Sequence, residues 1–195
     1  MYRFYMAALD VVPAAVVLIP VFGVLYGCTH CMGLRKSIMY CLFCLYISAV
    51  LSLVGIPNVK YIRLELNLYL IPFAGMIEDL KNSVLNVILF IPLGVFLPLL
   101  WQKYQKFMSG IIFAFCFSLM IELLQMLTFR TTDVNDLITN TAGYMVGYLL
   151  VKPLLHERSD AQINCKDVYV LCILTFGIMF FVHPFLSPLI WDRIL

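Results

Sequence analysis

Read for polarity alone, the chain is a series of long apolar stretches broken by short polar joints. Residues 11–34, 37–59, 82–102 and 168–191 contain no Asp, Glu, Lys or Arg. Each stretch reaches the roughly 20 residues that a helix needs to cross hydrocarbon. Residues 107–129 are interrupted only by Glu122, and residues 137–155 only by Lys152, whose long side chain can snorkel to a boundary. The pattern predicts helices at about 9–30, 37–57, 82–101, 107–128, 133–153 and 168–190. The expected fold is an all-α integral membrane protein, a bundle of about six transmembrane helices. Arg3 ahead of an apolar core at Val11 has the outline of a signal peptide. No small-x-small cleavage site follows, however, and the stretch is long enough to stay as a helix.

The connection between helices 2 and 3 is the longest and is not plainly polar. After Lys60, Arg63 and Glu65 it runs from Asn67 through Pro72 and Gly75 to Ile77, and then to Glu78, Asp79 and Lys81. The apolar part is too short to span, and Pro72 and Gly75 break a continuous helix. A re-entrant or interfacial segment is therefore expected here. Irregular backbone at membrane depth is tolerated only when buried in protein or lining a wet cavity, so the segment is a candidate mouth of a site.

Composition agrees with this class. Apolar residues make up 63% of the 195 and charged residues 12%, against about 25% charged in soluble domains. A water-soluble globule is excluded. With short connections and no repeat, residues 1–195 read as a single membrane domain. The net charge of +2 is spread along the chain and forms no basic patch for nucleic acid. No phosphate loop or dinucleotide fingerprint is present, so no cofactor is implied. Of the 13 Lys and Arg, seven fall on one side of a six-span topology and six on the other, which barely orients the chain. In either orientation the loops at 60–81 and 128–136 share one face.

Polar residues inside the apolar pattern carry the candidate chemistry. From Asp133 the residues Asp136, Asn140, Gly143 and Gly147 follow at alternating steps of about three and four, one stripe of a helix. Ionisable groups at a bilayer boundary are costly, which suggests a site. The competing reading makes Asp133 a helix cap with Asp136 complementing the positive helix end. Gly143-x-x-x-Gly147 then packs helices, within one chain or between two copies of a homo-oligomer. On helix 3, Asn82 or Ser83 suits an N-cap, and Asn86 lies a turn inside, where its amide needs a neighbouring helix or a ligand. Pro92 and Pro98 are expected to kink that helix. On helix 4, Ser118, Glu122 and Gln125 share one face, and Glu122 must pair with Arg63 or Arg130 or take up a proton. Arg63, Asn67, Asn86, Glu122, Gln125, Arg130, Asp133, Asp136 and Asn140 all map to one end of the bundle, more costly groups than packing alone requires.

The runs Arg63-x-x-x-Asn67-Leu-x-Leu-Ile-Pro72-Phe73, Asn86-x-x-Leu-Phe-x-Pro92-Leu-Gly94, Ser118-x-x-x-Glu122-x-x-Gln125 and Arg130-x-x-Asp133-x-Asn135-Asp136-x-x-x-Asn140-x-x-Gly143-x-x-x-Gly147 resemble the VanZ family. They cover about residues 60–152 in the family's order, and helices 1, 2 and 6 match only as generic spans. Leu85 stands where the family often has glycine, and Asn135 where it often has an acid. The resemblance implies a multi-pass protein of the bacterial plasma membrane. It also implies a link to glycopeptide resistance, because the family's namesake lowers susceptibility to teicoplanin, a lipid-tailed antibiotic acting outside the membrane. An external target places the polar end and the N-terminus outside.

On this basis the leading expectation is a protein that binds an amphiphile at the outer leaflet. The amphiphile would be a lipoglycopeptide antibiotic, a lipid-linked cell-wall precursor or another cell-envelope lipid among the membrane lipids. Arg63 and Arg130 would meet its anionic or carbonyl-rich head. Asn67, Asn86, Gln125 and Asn140 would supply hydrogen bonds, and Glu122, Asp133 and Asp136 would hold the arginines. An enzymatic alternative makes Glu122 a general acid or base, with Asp133 and Asp136 on a divalent ion, in a hydrolase or transferase acting on a lipid-linked substrate. A third alternative is a thiol oxidoreductase built on Cys28-Thr-His-Cys31 and Cys41-Leu-Phe-Cys44, although cysteines buried in an apolar helix usually act as small hydrophobes. Asp10 reads as a solvated residue at the edge of helix 1. His183-Pro184 reads as a kinked packing position, and His30 and His156 as interface residues.

Overall fold

The computed structural model describes residues 2–29, 34–60, 62, 68–69, 71–73, 80–128, 132–155 and 166–194. Helix α1 spans Tyr2–Thr29, α2 Leu34–Val54, α3 Leu80–Leu100, α4 Phe107–Gln125 and α5 Val134–Leu155. Helix α6 (Lys166–Gly177) continues through a π-helical turn (Ile178–Val182) into α7 (His183–Ile194). A short 3-10 turn (Gln102–Gln105) joins α3 to α4, and strands β1 (Leu68–Tyr69) and β2 (Thr132–Asp133) precede α3 and α5. Four of these helical stretches are long and apolar enough to cross a membrane, namely Leu34–Val54, Leu80–Leu100, Phe107–Gln125 and Lys166–Trp191. The protein is thus a helical membrane protein. Its contacts divide it into two compact units, Met1–Ile62 with Lys166–Leu195, and Arg63–Cys165.

In the first unit, α1 and α2 pack along matched stripes. Ala14, Leu18 and Phe22 recur every four residues on α1, while Tyr40, Phe43, Cys44, Ile47, Val50 and Leu51 recur at threes and fours on α2, and all are buried. Large apolar residues such as Val16, Ile38, Leu42, Val170 and Ile173 point outward, the arrangement expected where hydrocarbon replaces water. Helix α2 ends three residues earlier than the sequence pattern suggests. Gly55 adopts a left-handed φ of 68°, and its N–H bonds the Ser52 carbonyl while that of Ile56 bonds the Leu51 carbonyl. This is the paired hydrogen bonding that closes a helix C-terminus on glycine.

Two prolines leave carbonyls of the last helix of this unit without internal donors, and residues just past α2 supply them. Pro184 has no N–H, so it cannot bond the Phe180 carbonyl one turn back; the Val59 N–H takes that carbonyl instead, at 3.2 Å. Pro188 likewise leaves the Pro184 carbonyl, which accepts the Lys60 Nζ at 2.5 Å. Freed carbonyls in a spanning helix need such partners, because lipid offers none.

In the second unit, α3 and α5 run side by side in the same direction at backbone contact. A Cβ added at Gly143 would strike the Val87 carbonyl, one at Gly147 the Ile91 carbonyl, and one at Gly94 the Tyr144 carbonyl. The glycine stripe therefore packs against a helix of the same chain. Pro92 and Pro98 both lie inside α3. Helix α4 runs antiparallel along α5, with Gly110 giving room to the Tyr144 ring. An aromatic layer closes the end away from the polar residues. Phe107 packs on Tyr148 with ring centroids 5.0 Å apart, Tyr104 packs on Phe113 at 5.2 Å, and the Tyr148 hydroxyl donates to the Gln105 carbonyl at 2.6 Å.

The described part of the connection before α3 is a strand and a turn. Leu68 pairs with Thr132 and Tyr69 with Asp133 in a parallel ladder. This places Leu68 and Tyr69 beside the start of α5.

Candidate functional site

The polar end of the second unit is built where α4 stops, β2 turns and α5 begins. Asp133 immediately precedes α5, and its Oδ1 accepts the Asn135 N–H at 2.8 Å, so it is the N-cap of that helix. Its own backbone N–H donates to Glu122 Oε2 at 3.1 Å. The backbone carbonyl of Glu122 accepts the Thr132 hydroxyl at 3.0 Å. A buried carboxylate, 3% exposed, thus holds the turn that caps the next helix. The Asn135 side chain in turn accepts the Phe73 N–H at 2.7 Å. Phe73 sits at φ 63°, a left-handed conformation that is unusual for a bulky residue. Its exposed neighbour Ile71 and the exposed Tyr69 complete a small apolar projection.

One turn further into α5, the Asn140 Nδ2 donates to Ser118 Oγ on α4 at 2.9 Å. The residue is 3% exposed, and its Oδ1 has no hydrogen-bond partner among the described residues. Turning the amide over exchanges its two ends but still leaves one polar atom over. Buried polar groups are nearly always satisfied, so such a remainder marks a place for an additional partner.

The structure unites some of the expected residues and leaves others apart. Glu122 and Asp133 are in direct contact, with Asn135 beside them, and Ser118 meets Asn140. Gln125 is buried at the end of α4, where its backbone carbonyl accepts the Thr128 hydroxyl at 3.0 Å. Asp136 occupies the first turn of α5, where its charge complements the helix N-terminus. Asn86 is half-buried on α3, next to Val87, the residue whose carbonyl faces Gly143. Arg63, Asn67 and Arg130 lie outside the described residues, so the arginine pairings do too. The reading of Asp133 as a helix cap is the one its hydrogen bond displays. Sequence reasoning missed Asn135 as a clasp on the preceding loop, because its partner is a backbone amide with no side-chain signature. It also missed Gly94 and Gly110, whose roles depend on what stands opposite.

Two residues of the first unit correct the sequence reading. Asp10 is not simply solvated: it accepts the Ser52 hydroxyl at 2.6 Å and faces His183 Nε2 at 3.4 Å. His183, expected to be a packing position, is its partner.

Comparison with known proteins supports the resemblance carried by the motifs. Protein VanZ of Enterococcus faecium is 33% identical over 103 residues, 52% of this chain and 60% of that protein. The chain therefore spans less than two thirds of that relative's length. No solved structure matches. The model of the VanZ/LLP1 family matches residues 37–156, which takes in α2 as well as the motif-bearing helices α3 to α5. With more than half of its length matched, the chain belongs to the VanZ/LLP1 family.

Proposed function

We propose that the protein is a multi-pass component of the bacterial plasma membrane that binds an amphiphile at the outer-leaflet end of α3, α4 and α5 and so lowers susceptibility to lipid-tailed glycopeptides of the teicoplanin type. In this reading α1 and α5 also cross the bilayer, giving six spans, and the N-terminus and the loops at 60–81 and 128–136 face outward. The ligand is the antibiotic itself or a cell-envelope lipid with a similar polar head. One observation carries the reading: the buried side-chain oxygen of Asn140 has no hydrogen-bond partner among the described residues, on the same helix as the Asp133 cap and Asn135. A hydroxyl, amide or ammonium group of a ligand head would satisfy it. Arg63 and Arg130 would meet the anionic part of the head, with Asn67, Asn86 and Gln125 adding hydrogen bonds. The exposed projection of Tyr69, Ile71 and Phe73 would lie against the ligand's lipid tail.

The enzymatic reading draws less support from the same geometry. Glu122 and Asp133 each spend a carboxylate oxygen on a backbone N–H, which is a structural use. The test is to express Asn140→Leu and Arg130→Ala at wild-type levels and measure teicoplanin susceptibility together with binding of the purified proteins to the antibiotic and to anionic lipid. Loss of both responses is expected. Wild-type behaviour of both variants in both assays would reduce the polar end to scaffolding.

A further inference from the structure

The second unit carries a cationic end opposite its polar assembly. Here α3 finishes, the 3-10 turn reverses the chain, α4 starts and α5 stops. Lys103 and Lys106 share the turn, where the Lys106 N–H donates to the Lys103 carbonyl at 3.4 Å, and Lys152 lies in the last turn of α5. All three are exposed.

Packing gathers these lysines from separate parts of the chain. The Tyr148 hydroxyl donates to the Gln105 carbonyl and the Tyr148 ring packs on Phe107, so the residues on both sides of Lys106 are held against α5. Lys152 stands about one turn beyond Tyr148. The buried rings of Trp101 and Tyr104 floor the turn, with Lys103 Nζ 5.7 Å from the Tyr104 ring centroid. Residues 101–106 fall between the apolar spans Leu80–Leu100 and Phe107–Gln125, which sets the lysines at the boundary of the hydrocarbon, where lipid head groups lie.

Among the described residues no carboxylate offsets this charge. Those of the second unit are Glu122, Asp133 and Asp136, all at the other end. Helix electrostatics accounts for Lys152, a cation at a helix C-terminus. It does not account for Lys106, which occupies the N-cap of α4 without a side-chain hydrogen bond and sets a cation against the positive end of that helix. An external anion beside Lys106 would relieve this repulsion. Basic clusters immediately beside spanning helices attract anionic lipid head groups. Towards the bilayer, Met108, Ile112 and Phe115 on α4 form an exposed apolar stripe that begins next to Lys106.

We propose that Lys103, Lys106 and Lys152 hold the head group of an anionic phospholipid, one of whose acyl chains follows the stripe of Met108, Ile112 and Phe115. The three ammonium groups converge on the phosphate from the turn and from α5, and the bound lipid ties the α3–α4 turn to the end of α5. This site lies at the opposite end of the unit from the amphiphile site and holds in either orientation of the chain.

Native mass spectrometry of the full chain, released from nanodiscs of mixed phosphatidylglycerol and phosphatidylcholine, tests the assignment. The wild type should retain phosphatidylglycerol in preference to phosphatidylcholine. Combining Lys103→Gln, Lys106→Gln and Lys152→Gln should weaken phosphatidylglycerol retention on the order of 100-fold, roughly fivefold per lysine, and all three side chains are exposed, so the variant should fold. Removing three charges from the first unit instead, by Arg35→Gln, Lys36→Gln and Lys166→Gln, should leave this retention in place. Equal loss from both triple variants would mean bulk charge in place of a site and overturns the proposal. So do wild-type retention by the Lys103, Lys106 and Lys152 variant, and equal retention of the two lipids by the wild type. Thermal unfolding in detergent separates the lipid from its head alone: phosphatidylglycerol should raise the midpoint, and a soluble glycerol phosphate that raises it as far overturns the lipid assignment.

Discussion

The side chain of Glu122 and the backbone of Asp133 are joined by a hydrogen bond of 3.1 Å, so the carboxylate at the end of one helix holds the cap of the next. Replacing Glu122 by Gln retains an acceptor of the same shape and should leave stability nearly unchanged. Glu122→Ala strands the Asp133 N–H and opens a void, which should cost about 2–4 kcal/mol. Thermal unfolding of both variants in detergent separates the two outcomes.

The glycines on the α3 and α5 seam are predicted to be intolerant of a single methyl group. At Gly147 the added carbon would meet the Ile91 carbonyl, and at Gly143 the Val87 carbonyl. Both obstacles are backbone and cannot rotate away. Gly147→Ala and Gly143→Ala should each destabilise by about 1–3 kcal/mol. Gly23→Ala on α1, where nothing lies within 4 Å, should be neutral or stabilise by up to about 1 kcal/mol through helix propensity. Denaturation midpoints of the three variants provide the comparison.

Asn135→Leu should release the loop that it clasps while leaving α5 in place, because Asp133 still caps that helix. Hydrogen exchange of the Phe73 amide should accelerate, on the order of tenfold for loss of about 1.4 kcal/mol. Phe73→Gly removes an exposed side chain from a left-handed backbone position and should keep the fold or gain slightly. Faster exchange in Asn135→Leu without change along α5 is the expected pattern.

Lys60→Met should expose the Pro184 carbonyl to hydrocarbon and cost about 1–3 kcal/mol. Pro188→Ala restores an N–H one turn beyond that carbonyl, so it can be satisfied within the helix. In the Pro188→Ala background the Lys60→Met substitution should therefore cost much less. A double-mutant cycle on unfolding free energies measures the coupling. Additive effects would show that Lys60 does not serve this carbonyl.

How far the molecule can be read from its sequence depends on how local each signal is. Charge-free stretches disclose α2, α3 and the long span from Lys166, and a stretch interrupted only by Glu122 discloses α4, because crossing hydrocarbon is a property of consecutive residues. The end of α2 was legible too, since Gly55 followed by Pro57 is a stop signal that the pattern of apolar residues overran. Asp133 and Asp136 were readable as helix-start chemistry. The β1 and β2 ladder was not, because two residues on each side carry no periodicity. Nor was the Asp10 and His183 pair, whose members are separated by most of the chain. At the polar end, Glu122 and Asp133 could be foreseen as neighbours. That the bond joins a side chain to a backbone amide could not, because amides are anonymous in a sequence.

The two carbonyls that prolines release in the last helix also bear on how the molecule is made. Their partners, Val59 and Lys60, leave the ribosome early, whereas Phe180 and Pro184 emerge only after the whole of the second unit, residues 63–165, has been synthesised. The first unit must therefore wait, half assembled, with donors in place and acceptors still missing. Until they meet, the last helix carries carbonyls that lipid cannot satisfy, so its docking completes the first unit.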